Sequence, residues 1–425
     1  MESPEANEFA TEPVPATHQV GWLRVGVVSA MVSFSLPTFV TGGEVYRAVG
    51  ADAGPVAILI GCAVLTVIGA LCGAIGTRTH LSSYMLVRIA FGTRGAALVN
   101  LAFAVSLLGW FGVNIDLFAG ALDGLARDAL GWSVPNWAAE VFAGVTMTAT
   151  TIYGFRAINN LSALLVPAMM VVTAVLAARS LGVEDPTVEV SAAALTFGDA
   201  ISAVVGGVIV GAVILPDVTR FIRHWSGAAY TAVLSYGVVQ ALVMVTGGAA
   251  ALATGEADFL QVLVAMGLSW GAFVLVIAGS WVLNSLNLYS TVLSVEATAP
   301  RAGSRLGVVV LGALGTVAAF MNVLDYFLTF LFYLAIVFVP VAGVIVIDFL
   351  LLRRRLYLED FAIGQQAWVP AAVLAWVAGS VVALLGSEGV IRLSGVAALD
   401  AMVVAAVAYY GLHALLPSGA ARAAT

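Results

Sequence analysis

The sequence predicts an all-α integral membrane protein of twelve spans, built as two inverted five-helix units whose first and sixth helices are interrupted. Three observations carry that expectation. The 425 residues are 61% hydrophobic and 10% charged, with a mean hydropathy of +1.05, whereas soluble domains carry about 25% charged residues. Apolar runs of about 20 residues, the length a bilayer-crossing helix needs, recur along the whole chain. Helix-weakening residues sit at matching depths in two of those runs.

The runs begin near Val20, Pro55, Ala96, Trp137, Asn159, Thr196, Gly227, Trp270, Leu306, Asp325, Trp368 and Ile391. They divide the chain into a polar cytoplasmic tail (1–19), a first repeat (20–181), a second repeat (195–353), two further helices (368–417) and a short tail (418–425). The N-terminal stretch is acidic and lacks the apolar core of a signal peptide. LSSYMLVRIAFG, between the second and third runs, reads as a short amphipathic piece at the membrane surface. Arginines set the orientation. Inner segments hold Arg24, Arg78, Arg88, Arg94, Arg156 and the Arg353–Arg355 cluster among others, while outer ones hold only Arg47, Arg127, Arg179 and Arg392. Both termini are therefore expected in the cytoplasm, with the protein in the inner (plasma) membrane.

Composition also excludes chemistry. All 17 basic side chains are arginine, so no lysine can form a Schiff base. Cys62 and Cys72 are ten residues apart on one helix, about 15 Å of rise and too far for a disulfide. The four histidines fall in loops, the tail or near helix ends, so neither a metal nor a cofactor is expected. No nucleophile elbow or catalytic loop suggests an enzyme, and no basic patch suggests nucleic acid.

The interruptions point to a central site. Span 6, from Phe197, carries the pair Gly206–Gly207, and span 1 carries Ser33, Ser35 and Pro37 in SFSLPTF. Five spans separate their starts, so the two units run in opposite directions. Broken helices at matching positions of inverted halves mark a transporter's binding site. Small residues in a membrane helix also serve as packing notches.

Several polar or aromatic side chains lie at membrane depth. Trp110 sits at mid-span rather than at an interface, and Asn114 follows one turn later on the same face. Together they suit a flat polar ring, by stacking and hydrogen bonding. Asp116 is a candidate for the coupling ion, because a carboxylate in a bilayer is costly and marks function by default. On span 8, Asn284 and Asn287 share a face with Ser280. They could read a substrate edge or bond to a neighbouring helix. Asp217 and Arg220, three residues apart at the inner end of span 6, read as a gate or a structural ion pair.

At these residues the chain resembles a known family. GWFGV at Gly109–Val113, PDVTRF at Pro216–Phe221, TGG at Thr41–Gly43, WVLNSLNLYS at Trp281–Ser290 and PVAGVIVIDFLLLRRR at Pro340–Arg355 are similar to segments of the nucleobase–cation symporter family, purine–cytosine permease type. The resemblance implies twelve helices in a leucine-transporter-like five-plus-five inverted repeat. It also implies alternating access and import of a nucleobase or related heterocycle with Na⁺ or H⁺. It makes Trp110 the stacking tryptophan, with Phe34 and Ser35 at the helix 1 break. Gly207 and Val208 stand where the family has a serine and a stacking phenylalanine. Leu107 replaces a base-binding glutamine, and Gly279 replaces an asparagine. The family's Na⁺ site would use main-chain carbonyls near Met31, Phe34 and Gly279, but its two hydroxyl positions are Val282 and Leu283. A hard cation wants oxygen ligands. The expected coupling is therefore to protons more than to Na⁺, with a ligand-sensing transceptor or an uncoupled facilitator as the alternative.

Overall fold

The computed structural model describes residues 12–153, 155–180, 195–256, 259–296, 304–321, 326–358, 366–391 and 393–416. The tail before residue 12, Asp325, Arg392 and the 418–425 tail lie outside these. The first half contains α1 (Trp22–Met31), α2 (Leu36–Val49), α3 (Ala53–Thr79), α4 (Ser83–Phe91), α5 (Thr93–Leu130), α6 (Asn136–Tyr153) and α7 (Phe155–Ser180). Then follow α8 (Phe197–Val213), α9 (Pro216–Thr219), α10 (Ser226–Ala232), α11 (Ala241–Thr254), α12 (Phe259–Ala265), α13 (Ser269–Glu296), α14 (Arg305–Ala319) and α15 (Phe327–Ile347). The chain continues with α16 (Arg354–Leu358), α17 (Pro370–Ser387) and α18 (Ala397–Leu415). Among the described residues seven helices are long and apolar enough to cross a membrane, or eight with one bent pair.

That bent pair is α1 and α2, which meet at 63°. The break falls at Val32–Ser35, where the sequence placed it. Ser35 takes an extended backbone, and Pro37 follows within the first turn of α2, where its missing N–H costs nothing.

The glycine pair of span 6 behaves differently. The helix α8 runs unbroken from Phe197 to Val213, straight through Gly206–Gly207. Its interruption comes later, at Ile214–Leu215, before the short α9. Gly206 is instead a packing notch: a Cβ there would overlap the main-chain carbonyl of Leu331 on α15.

Two turns have π-helical bonding, Val233–Gln240 between α10 and α11 and Asp348–Leu352 after α15. The second carries a buried charge network. Asp348 is fully buried and accepts from Arg353 Nε and Nη2, both at 2.6 Å, from Tyr357 Oη at 2.5 Å and from Tyr409 Oη at 2.8 Å. Arg353 Nη2 also donates to the carbonyls of Ile89 and Ala90, at 3.1 and 3.0 Å. Burial first, then the adjacent carboxylate, push the Tyr357 hydroxyl well above the ordinary phenol value, so it stays a donor. The network pins α15, α16 and α18 to the end of α4. The helix α4 is accordingly not a surface amphipath: seven of its nine residues, from Ser83 to Phe91, are buried.

The same end of the molecule is tied across the chain. Val20 N donates to Phe221 O at 2.7 Å, and Arg223 N donates back to Val20 O at 3.2 Å. Cys62 and Cys72 lie free and buried along α3.

Candidate functional site

The break between α1 and α2 faces an aromatic cluster contributed by α5 and α15. Phe34 at the break and Trp110 on α5 pack, partly buried, against one apolar cluster containing Leu36, Phe39, Val113, Ala203, Phe327 and Leu331. The indole of Trp110 lies 6.0 Å from the ring of Phe327 and 5.5 Å from that of Phe330. Both phenyl rings stand nearly perpendicular to it, at 81° and 73°, so neither is stacked parallel on its face. Quadrupoles favour such edge contacts. Gly109 makes the approach possible, because a Cβ there would stand 2.8 Å from the Phe330 ring. Phe327 and Phe330 were not singled out from the sequence. Their run, FLTFLFYL, is apolar but for Thr329 and the Tyr333 hydroxyl and carries no sign of which face meets Trp110.

Asn114 lies one turn beyond Trp110 and is fully buried. Its Nδ2 donates to the Trp110 carbonyl at 2.8 Å, while its Oδ1 has no partner among the described residues. A buried acceptor left open is unusual and needs a reason. Gly207 and Val208 on α8 are partly buried; a Cβ on Gly207 would meet Leu331 Cδ1 at 3.7 Å and Met244 Cε and Thr41 Oγ1 at 3.9 Å, so the space beside it is loose. Ser35 bonds to Thr38 across the first turn of α2, at 3.0 Å.

Two expected site residues fall elsewhere. Gly206 is sealed under α15 and offers nothing to a ligand. Asn284 on α13 is fully buried between α5 and α6, donating from Nδ2 to Phe111 O at 3.0 Å and to Met147 Sδ at 3.2 Å. Its Nδ2 thus makes an interhelical bond, while its Oδ1, like that of Asn114, is buried without a partner among the described residues; residue spacing fixed its face but not the helix that face meets. Replacing Asn284 by leucine is expected to cost about 1 kcal/mol of stability, read as a lower unfolding temperature, with ligand affinity unchanged.

The ion candidates are spread out. Asp116 is half-buried on α5, on the same stripe as Gly112, which packs against Ala318 and Ala319 of α14, and away from Trp110. The Met31 carbonyl accepts from Phe34 N at 3.1 Å within the break. Gly279 on α13 is open, its nearest neighbour being Met169 Cε at 4.0 Å from an ideal Cβ. Val282 and Leu283 are partly buried and bring no oxygen to that region. Asp217 accepts from Ser83 N at 2.7 Å and Ser83 Oγ at 2.8 Å, capping α4. Arg220 Nε donates to the Asp217 main-chain carbonyl at 3.1 Å, and its guanidinium lies within electrostatic reach of Tyr289 on α13.

The comparisons with known proteins agree with this architecture. Residues 22–410 match the model of a family described as permeases for cytosine/purines, uracil, thiamine and allantoin. The cytosine permease of Escherichia coli K12 is 30% identical over 417 residues, spanning 96% of this chain and 95% of that protein. The hydantoin permease of Microbacterium maritypicum is 25% identical over 372 residues, 80% of this chain and 75% of that one. Among solved structures, inward-facing Mhp1 superposes with a TM-score of 0.78 at 19% identity, covering 95% of this chain and 94% of that one. Mhp1, a nucleobase-cation-symport-1 family transporter, closed with bromovinylhydantoin bound, gives 0.75 at 20% identity and 97% coverage of both chains. A match along nearly the whole length, on a helical fold with a bent first helix pair and an aromatic cluster beside it, makes this chain a transporter rather than an enzyme, and it belongs to the nucleobase–cation symporter family, purine–cytosine permease type.

Proposed function

We propose that the protein imports a nucleobase or a related small heterocycle across the cytoplasmic membrane by alternating access, as a secondary active transporter. The observation that carries this reading is Trp110, held edge-on by Phe327 and Phe330 beside the break at Val32–Ser35, with no ring stacked parallel on it among the described residues. A planar heterocycle stacks on the indole, with Phe34, Ser35, Gly207 and Val208 around it. Asn114 Oδ1, buried and open, accepts from an N–H on its edge. Leu107, buried on the same helix, removes one polar contact that the family resemblance would supply, which favours a ring less polar than cytosine.

The remaining architecture follows the family: twelve spans, a five-plus-five inverted repeat in residues 20–181 and 195–353, and both termini in the cytoplasm. Arg220, reaching from α9 towards α13, acts as an inner gate. Coupling is to protons more than to Na⁺, because Val282 and Leu283 deprive the carbonyls of Met31, Phe34 and Gly279 of hydroxyl partners. Asp116 is the proposed proton carrier. The same missing hydroxyls favour one other reading, a ligand-sensing scaffold without ion coupling.

The test is uptake into proteoliposomes across a panel of heterocycles, with Na⁺ or a pH gradient imposed, for wild type and Trp110→Ala. One ring is expected to accumulate under the pH gradient alone. Trp110→Ala is expected to lower kcat/KM about 10- to 100-fold, the range for loss of one stacking contact of 1–3 kcal/mol. Unchanged uptake kinetics in Trp110→Ala would overturn the site. Accumulation driven only by Na⁺ would overturn the coupling assignment, and binding without accumulation would favour the sensor.

A further inference from the structure

Among the described residues, the segment α10–α11 carries three buried polar side chains that have no partner. They are Thr231 Oγ1, Ser235 Oγ and both amide atoms of Gln240. Thr231 and Ser235 are fully buried and Gln240 is 1% exposed. The residues are four and five apart, and the second interval falls within the π-helical turn Val233–Gln240. A π turn closes every five residues, so the three groups stand in a row on successive turns.

The row faces α1 and its break. A Cβ on Gly26 of α1 would lie 3.5 Å from Thr231 Oγ1. Ser33, inside the break, donates from Oγ to the Ser235 carbonyl at 3.2 Å. Farther along, Gly247 of α11 packs against the main chain of Phe39. Gln240 lies between these last two contacts, level with the break. Its neighbours one turn away, Tyr236 and Met244, reach towards Gly211 and Gly207 of α8. Ideal Cβ atoms at those glycines would stand 3.8 Å from Tyr236 Oη and 3.9 Å from Met244 Cε, with nothing closer than 3.6 Å to either. A methyl group at either glycine would therefore sit at ordinary contact distance, without a clash.

We propose that this junction holds an occluded cluster of water molecules, bonded to Gln240, Ser235 and Thr231 and to the non-helical backbone at Val32–Ser35, and that this water is what lets the break hinge. The chemistry of the row selects water. Each hydroxyl and the carboxamide present a donor as well as an acceptor. A cation would satisfy only the oxygens and leave the Gln240 N–H groups bare, and the row has no carboxylate to hold one. Water satisfies both kinds of group, with the two to four polar partners a buried water needs. Non-helical backbone in a bilayer is tolerated where protein or water meets it. A water molecule exchanges partners as α1 swings, whereas a direct amide–backbone bond would have to break.

The test is radiolytic hydroxyl labelling of the full chain in nanodiscs, where an X-ray pulse splits water in place and mass spectrometry reads the side chains attacked. Tyr236 and Met244, both buried, are the reporters. They are expected to label at rates approaching those of exposed Tyr326 and Met321 and well above that of Met85, which is equally buried. In Gln240→Leu the rates are expected to fall several-fold, and in Ser235→Ala, a smaller change that keeps the fold, they fall as well. Turnover of Gln240→Leu drops while substrate half-saturation holds, the pattern of an altered conformational step rather than altered binding. Reporters no faster than Met85, or unchanged in both variants, overturn the proposal. Suppression of labelling by Na⁺ but not by choline overturns it in favour of a cation.

Discussion

Replacing Asp348 by alanine is expected to destabilise the protein by about 3–5 kcal/mol, the usual cost of stripping one partner from a buried ion pair. The carboxylate is fully enclosed and collects four hydrogen bonds from three side chains. Without it the guanidinium of Arg353 keeps only the carbonyls of Ile89 and Ala90 and the Tyr409 hydroxyl, and Tyr357 loses its acceptor. The measurement is the apparent unfolding temperature in detergent, expected to fall by on the order of 10 °C. A double variant, Asp348→Leu with Arg353→Met, is expected to recover much of that loss, because it removes both charges together. An Asp348→Ala protein as stable as wild type would mean that solvent reaches Arg353 and that the network does not pin α4.

The second large effect is expected at Gly206. Alanine there adds a single methyl, yet its carbon has to occupy the space of the Leu331 carbonyl, with the Ala335 amide nitrogen only 3.2 Å away. Those are main-chain atoms and no rotamer change relieves the overlap, so α8 and α15 must separate. Overpacking of a tight interior costs about 1–3 kcal/mol and more where backbone has to move. Gly207→Ala, one residue on, has 3.7 Å of clearance and is expected to be tolerated in folding. Expression and monodispersity on gel filtration separate the two: Gly206→Ala low and aggregated, Gly207→Ala normal but with altered substrate preference. Equal behaviour of the pair would refute the packing assignment.

These two glycines show where sequence reading stops. The apolar runs, the break before Pro37 and the mid-span Trp110 are local signals, and local chemistry fixes them. A glycine pair in a membrane helix is different, since it serves either a bend or a close approach. The choice belongs to α15, more than a hundred residues away. The interhelical bond of Asn284 was hidden for the same reason: helical period gives a face, and the neighbour on that face, here Phe111 and Met147, is a tertiary fact. Gln240 left no trace at all. One amide in YGVVQALVMV looks incidental until the π turn and the lack of partners single it out. In IDFLLLRRR, Asp348 looks like a helix end near positive residues; that it buries its charge against two tyrosines requires residues 357 and 409 to come together.

The two sealed thiols of α3 have a practical consequence. Cys62 and Cys72 are each 1% exposed within the packed interior. A maleimide in aqueous buffer meets neither, so the natural chain already serves as a silent background for site-directed labelling. Cysteines introduced singly along α1, α9 and α13 would report which vestibule is wet in each state, and spin or fluorophore pairs at the same places would time the swing between them.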